Sequence, residues 1–172
     1  LGDVYKRQAP EISQMFGEMI GAWCLDCWHK LGSPNPILLV ELGPGRGTLL
    51  SDLWRVTSVS KEFRDAVQIC LIEKSPTLKT LQQHQLSLLD SPPSPVWYEN
   101  LSEVPDGTIL MVANEFFDAL PVHQFVSGDA GWRERMVDCD PDDPDRFRYV
   151  IAPNPTPATS YLSESSDVGV EL

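Results

Sequence analysis

The sequence predicts an α/β fold: a parallel sheet, left incomplete, with an antiparallel β-hairpin inserted after its fourth strand. Three observations predict it. Ile37 to Val40 is an unbroken apolar run, as expected of a parallel strand covered on both faces. That run leads into Glu41, then glycines at 43, 45 and 47, then a helical apolar pattern in Leu49, Leu50, Leu53 and Trp54. Further short apolar runs recur from Ala66 to Ile72, at Val96-Trp97-Tyr98 and from Thr108 to Ala113, separated by helical or turn segments.

Taken in order, Leu1 to Gln8 is short and polar and continues into no pattern; it is expected to be foreign to the gene, a cloning or sequencing remnant. A helix is predicted from Pro10, with proline and Glu11 in its first turn. Ile12, Met15, Phe16, Met19, Ile20 and Trp23 would form its apolar stripe, and Gly32 and Pro34 end it near Leu31. Cys24 and Cys27 form a Cys-x-x-Cys near the end of this helix. Redox pairs sit at a helix start, and a zinc site needs a second ligand pair, so these are expected to be packing residues.

After the first strand, Thr48 is the expected N-cap of a helix running to about Val59. The second strand ends in Glu73. Ser75-Pro76 starts the next helix, which carries Leu78, Leu81, Leu88 and Leu89, with His84 on its solvated side. Asn100 follows the third strand. The fourth strand ends in Asn114-Glu115-Phe116-Phe117-Asp118-Ala119-Leu120-Pro121. Val122 to Val126 and Trp132 to Val137 flank a Gly128-Asp129-Ala130-Gly131 turn, a hairpin pattern. Arg146 to Ile151 reads as a third antiparallel strand beyond an acidic loop, Asp138 to Asp145, and no periodic element follows Ala152. The expected organisation is a leader (1–8), a half-domain (9–121), a hairpin insertion (122–153) and an irregular tail (154–172). The sheet is short of strands and of a cover, so the chain is expected to stop mid-domain.

Totals exclude several classes. The chain has 172 residues, with Lys+Arg 13 and Asp+Glu 25, a net charge of −12. Such a chain lacks the basic face that holds a nucleic acid, though it can meet a basic peptide. No run of 18 apolar residues is present, so membrane insertion is not expected. Four cysteines do not make a disulfide framework, which points to a reducing compartment.

Two stretches carry chemistry. A phosphate-cradling loop needs a lysine that the glycine stretch lacks, and the dinucleotide fingerprint needs glycine where Thr48 stands. What remains is acid-x-Gly-x-Gly-x-Gly, which resembles the first motif of class I S-adenosylmethionine (AdoMet) methyltransferases. Glu41 would attract the ammonium of AdoMet, and Gly43, Gly45 and Gly47 would let the ligand approach the backbone. The same residues also suit an ordinary tight turn between strand and helix. Glu73, at the end of the second strand, stands where an acid bonds a ribose in doubly wound folds, or is a charged residue at a strand end. Asn100 would be an adenine contact. Asn114, Glu115 and Asp118 face the same crevice; alternatively Asn114 caps a helix, Glu115 meets its dipole, and both phenylalanines enter the core.

Three blocks occur in order: Ala9-Pro10-Glu11-Ile12-Ser13-Gln14-Met15-Phe16-Gly17-Glu18, then Val40-Glu41-Leu42-Gly43-Pro44-Gly45-Arg46-Gly47-Thr48-Leu49, then Asn114 to Pro121. Together they resemble the MidA-type family of AdoMet-dependent methyltransferases, which includes a mitochondrial arginine methyltransferase assisting respiratory complex I assembly. Gly131-Trp132-Arg133-Glu134-Arg135 also resembles the family's hairpin, especially in bacterial members. The resemblance implies a Rossmann-like class I methyltransferase sheet, with AdoMet as cofactor. It implies a protein arginine as substrate, possibly on a respiratory complex I subunit, and Glu115 then Asp118 as the carboxylates that clamp it. It also implies a bacterial cytoplasmic protein, or one of the mitochondrial matrix if the source is eukaryotic. Family members carry an upstream Gly-Asp-Phe-x-Thr segment and continue well past residue 172. The resemblance therefore implies a fragment with the AdoMet side and without part of the substrate side. Two other readings stand beside it: an assembly factor that keeps AdoMet only as a structural ligand, and a small-molecule methyltransferase.

Overall fold

The computed structural model describes residues 13–129 and 131–162. The leader Leu1 to Gln8, the helix start at Pro10 and Glu11, and the end of the tail lie outside the described residues. The chain divides into two compact units, one reaching to Ala119 and one running from Leu120.

The first unit is a four-stranded parallel sheet in the order β3-β2-β1-β4. Its strands are β1 (Ile37–Leu42), β2 (Val67–Ile72), β3 (Val96–Tyr98) and β4 (Ile109–Val112). β1 lies in the middle, pairing with β2 along its whole length and with β4 from Leu38 to Glu41. Every residue of β1 is buried, as its unbroken apolar run requires. Ile37 and Leu39 face one core, with Leu50, Leu53, Phe63 and Leu71; Leu38, Val40 and Leu42 face a second, with Cys70 and Ile72.

Helix α1 (Gln14–Lys30) departs from the predicted stripe. Met15, Met19 and Trp23 are exposed, and the buried face is Gly17, Gly21, Cys24, Leu25 and Trp28. The helix turns its glycines to α2 (Thr48–Val56) so that the two backbones approach closely. A Cβ on Gly17 would stand 2.5 Å from Asp52 Cβ. One on Gly21 would stand 2.4 Å from Val56 Cγ1 and 2.8 Å from the Leu53 carbonyl oxygen. Phe16 and Ile20 of the stripe are half-buried, Ile20 against the core, but a hydrophobic pattern gives glycine no weight and so misses the centre of the buried face. Gly21→Ala should lower the unfolding free energy by up to about 2 kcal/mol: overpacking costs about 1–3 kcal/mol and helix propensity returns roughly 1 kcal/mol. Urea unfolding measures this, and an unchanged midpoint would mean that the contact has slack. Cys24 and Cys27 pack against the core as expected, and burial pushes the Cys24 thiol up to about 12.

The N-cap of α2 is Gly47, at φ +82°, not Thr48, which is the first helical residue. α2 ends at Val56 and passes through a 3-10 turn at Thr57–Val59. A short helix follows that the sequence pattern did not reveal, α3 (Lys61–Ala66), capped by Ser60 accepting from the Phe63 N–H at 3.2 Å. β2 accordingly starts at Val67, with Ala66 the last helical residue. In α4 (Pro76–Ser87), Leu81 is exposed, as is Leu88 at its C-cap, and the fully buried positions are Gln82 and Leu86. Ser75 caps it and Pro76 opens it, as predicted.

The second unit is a three-stranded antiparallel sheet, β5-β6-β7. Its strands are β5 (Gln124–Gly128), β6 (Gly131–Cys139) and β7 (Phe147–Ile151). The hairpin register pairs Gly128 with Gly131, with β6 longer than the pattern suggested. Beyond Ala152, where no element was expected, Pro157–Tyr161 forms a 3-10 turn. Glu134 in β6 ties His123, before β5, to Thr156, beyond β7: its carboxylate pairs with His123 Nδ1 and accepts from Thr156 Oγ1, each at 2.5 Å.

Candidate functional site

The site candidates gather at the carboxyl ends of β1, β2 and β4, where open α/β sheets bind ligands. The three glycines of the loop after β1 all have left-handed backbones, at φ +62°, +55° and +82°. The space where a side chain would stand differs among the three. A Cβ on Gly43 would lie 2.6 Å from the Phe116 ring, and one on Gly47 would touch Gln82 at 3.4 Å. A Cβ on Gly45 would meet nothing within 4 Å. The first and third glycines are filled against by protein; the middle one faces open space at the crevice, where backbone can meet a ligand.

Glu41 is not at the point where β1 emerges. It is paired in the sheet with Leu71 and Val112, only 6% exposed. Among the described residues nothing donates a hydrogen bond to its carboxylate or forms an ion pair with it. Burial pushes its pKa up to about 8. Desolvation makes the charged carboxylate costly, and a cation would lower that cost. The amino-acid end of AdoMet carries such a cation, so Glu41 and the open backbone at Gly45 fit that ligand.

Glu73 lies beside this loop through a residue that the sequence reading placed on no site. Gln82, fully buried in α4, donates through Nε2 to the Gly45 carbonyl at 2.7 Å and to Glu73 Oε2 at 3.3 Å. Its Oε1 accepts from Trp97 Nε1 at 2.7 Å. Glu73 Oε1 accepts from the Ser75 N–H at 2.8 Å, so each oxygen has one donor and keeps capacity for another. Glutamine in a Gln-rich helix reads as solvated; only the structure reveals that its side chain joins loop, acid and third strand.

The other predicted residues fall as follows. Asn100 is exposed, and its Nδ2 donates to Glu103 Oε1 at 2.8 Å within the turn after β3. That bond, with the Glu99 N–H on the other oxygen, holds the Glu103 carboxyl below its usual range. Asn114 is half-buried just beyond β4. It does not cap an α-helix: Phe117–Ala119 is a single 3-10 turn. Phe116 reaches the core and covers Gly43, but Phe117 is 63% exposed, so only one phenylalanine enters the interior. Phe116 is what brings this segment to the glycine loop. Glu115 and Asp118 are exposed, and Glu115 has φ +48°, a left-handed backbone rare outside glycine. Among the described residues, neither carboxylate is held by a hydrogen bond or ion pair. No group of three or more His, Cys, Asp or Glu side chains placed to hold a metal occurs among the described residues.

Comparison with known proteins decides the family. The family model for "Putative S-adenosyl-L-methionine-dependent methyltransferase" matches residues 19–168. The chain belongs to this methyltransferase family. Among curated relatives of this chain, "Protein arginine methyltransferase NDUFAF7, mitochondrial" of Xenopus laevis is 42% identical over 167 residues, covering 85% of this chain and 38% of the relative. The human protein of the same name is 40% identical over 174 residues, covering 90% and 40%. The chain thus spans about two-fifths of the length of the curated relatives it matches. A superfamily member from Burkholderia thailandensis, crystallised with S-adenosyl-homocysteine, shares the fold at a TM-score of 0.61 and 23% identity, over 90% of this chain and 38% of that one. No helix among the described residues is long and apolar enough to cross a membrane.

Proposed function

We propose that this chain supplies the donor-binding half of an AdoMet-dependent protein-arginine N-methyltransferase. The observation that carries the reading is Glu41: a carboxyl pushed up to about 8 by desolvation in a residue 6% exposed, two positions before a glycine loop whose middle residue opens onto free space. The bound cofactor supplies an activated methyl group on a sulfonium. Glu41 offers the charge for its ammonium, the Gly43 to Gly47 backbone lies along its amino-acid end, and Glu73, steadied by Gln82, receives its ribose hydroxyls. Asn100 is proposed at the adenine, and Asn114 at the crevice floor after β4.

The acceptor end falls to Glu115, with Asp118 second. A guanidinium is a poor nucleophile because its lone pairs are delocalised and it is protonated. A carboxylate bonded to one side of it orients the group and draws positive charge away from the attacking nitrogen. The left-handed backbone at Glu115 supports this role, since strained residues cluster where function over-determines them. Relatives named as mitochondrial protein arginine methyltransferases favour a protein arginine over a small molecule, and the mitochondrion over a bacterial cytoplasm; a respiratory complex I subunit is the proposed substrate. Glu115→Gln should leave AdoMet affinity within about twofold while reducing methyl transfer to an arginine peptide by at least about 100-fold, as expected for a group acting on the reacting centre. Turnover is read by mass spectrometry in the protein carrying both halves of the domain. Undiminished turnover would remove Glu115 from the mechanism. No turnover on any arginine peptide, with AdoMet bound, would favour the assembly-factor reading.

A further inference from the structure

A fully buried glutamine is kept at a cost, because each of its polar atoms must find a partner in the interior. Gln82 finds three. Its Oε1 accepts from Trp97 Nε1 at 2.7 Å, and its Nε2 donates to the Gly45 carbonyl at 2.7 Å and to Glu73 Oε2 at 3.3 Å. Only one orientation of the amide satisfies all three. An indole nitrogen only donates, while a carbonyl and a carboxylate only accept. Turned over, the amide would set N–H against N–H at Trp97 and oxygen against oxygen at Gly45 and Glu73. The indole therefore decides that both amide hydrogens face the glycine loop and the acid.

The indole is itself held. Trp97 pairs with Leu71 in the β2–β3 ladder and packs against the core that contains Leu39, Leu50 and Leu86. The Glu73 N–H donates to the Tyr98 carbonyl at 3.0 Å, so acid and indole stand on backbones already joined. On the loop side, the Gln82 stem lies 3.4 Å from the place a Cβ of Gly47 would take. Glu73 is bonded at both oxygens, Oε1 by the Ser75 N–H at 2.8 Å and Oε2 by Gln82, and each keeps capacity for one more donor. A carboxylate aimed in this way suits two neighbouring hydroxyls, since neither oxygen has to be ordered when they arrive.

We infer that Trp97 and Gln82 are positioning residues of the donor site, and that through Glu73 they set its preference for a ligand carrying both ribose hydroxyls. The inference rests on the AdoMet reading above and deepens it. Neither side chain bonds the ligand: the Gln82 amide is used up within the protein, and the Trp97 N–H is spent on Gln82. They act by keeping the acid aimed and by turning the Gly45 carbonyl to the interior, away from the carboxylate of the ligand's amino-acid end.

The test is calorimetric titration of S-adenosyl-homocysteine, and of its analogue lacking both ribose hydroxyls, into the protein carrying both halves of the domain. The parent should prefer the first by at least about tenfold, the contribution of hydrogen bonds to a charged group. Gln82→Met keeps the stem and removes the amide. It should weaken S-adenosyl-homocysteine at least about tenfold and shrink the ribose preference at least about threefold. Trp97→Phe keeps an aromatic ring in the core and removes the donor that orients the amide; it should shrink the preference at least about twofold. Should Gln82→Met lose the parent circular dichroism, Trp97→Phe decides alone. Leu86→Ala is the control: it opens a cavity one turn further along α4 and lowers the thermal midpoint, with the ribose preference unchanged. A merely structural role for Gln82 would lower stability and leave the preference intact. That result, or an equal shrinkage in Leu86→Ala, would overturn the inference while the parent's binding upheld the donor site. A parent that binds no S-adenosyl-homocysteine would overturn the donor-site reading and this inference with it.

Discussion

Gly45→Val should abolish detectable AdoMet binding, a loss of at least about 100-fold, or roughly 2.7 kcal/mol. The side chain would project into open space at the crevice, where nothing in the protein lies within 4 Å. Strain alone does not account for such a loss. A residue with a Cβ in the left-handed region costs roughly 1–2 kcal/mol, and a β-branched one more. Gly32 supplies the control. It sits just beyond α1 at φ +83°, also with nothing within 4 Å of its Cβ position, and away from the crevice. Gly32→Val should carry a similar strain penalty in thermal unfolding and bind AdoMet like the parent. Calorimetric titration of both variants reads obstruction against strain. Equal losses in both, or binding retained in Gly45→Val, would take the glycine loop out of the cofactor site.

Glu41→Gln should change stability and binding in opposite directions. Glu41, held near 8 in the folded chain against a usual 4.5, keeps its proton after the unfolded chain has lost its own. The unfolded state then binds fewer protons, so stability falls as pH rises from about 4.5 towards about 8. Glutamine removes that fall. The variant should be more stable than the parent near pH 8, by on the order of a few kcal/mol, with the difference shrinking towards pH 4.5. Binding goes the other way. An ammonium beside Glu41 favours the carboxylate, so below its raised pKa the parent releases a proton when AdoMet binds. Its affinity should climb with pH between about 5.5 and about 7.5, by up to about tenfold per unit. Glu41→Gln should bind more weakly and lose this slope. Calorimetry in buffers of different ionisation enthalpy counts the proton directly. A pH-independent parent affinity would mean that Glu41 does not meet the cation.

The strands and the glycine turn were legible because their signals are local. An apolar run of four, an acid and alternate glycines fix β1 and the loop with no knowledge of partners. Helix faces were less legible. In α1 the buried face is marked by Gly17 and Gly21, which carry no hydrophobic signal, while Met15, Met19 and Trp23 form the better stripe and stand in water. In α4 the buried position is Gln82, a residue that hydropathy assigns to solvent. α3 escaped notice because six residues give too few turns for a period to show. At the site, the glycine loop and Glu73 are joined through Gln82, while Glu41 lies inside the ladder of β1 rather than at its end. Gln82 and Phe116, which join them, act across the fold and leave no trace in spacing.

Gln82 joins the loop after β1, the acid after β2 and the indole of β3 through one side chain. Those three segments therefore do not reorganise independently, and the ordering entropy of the glycine loop is already lost in the free protein. Cofactor association should then be a single kinetic phase whose rate rises linearly with ligand concentration, without the saturation that a slow loop closure would impose.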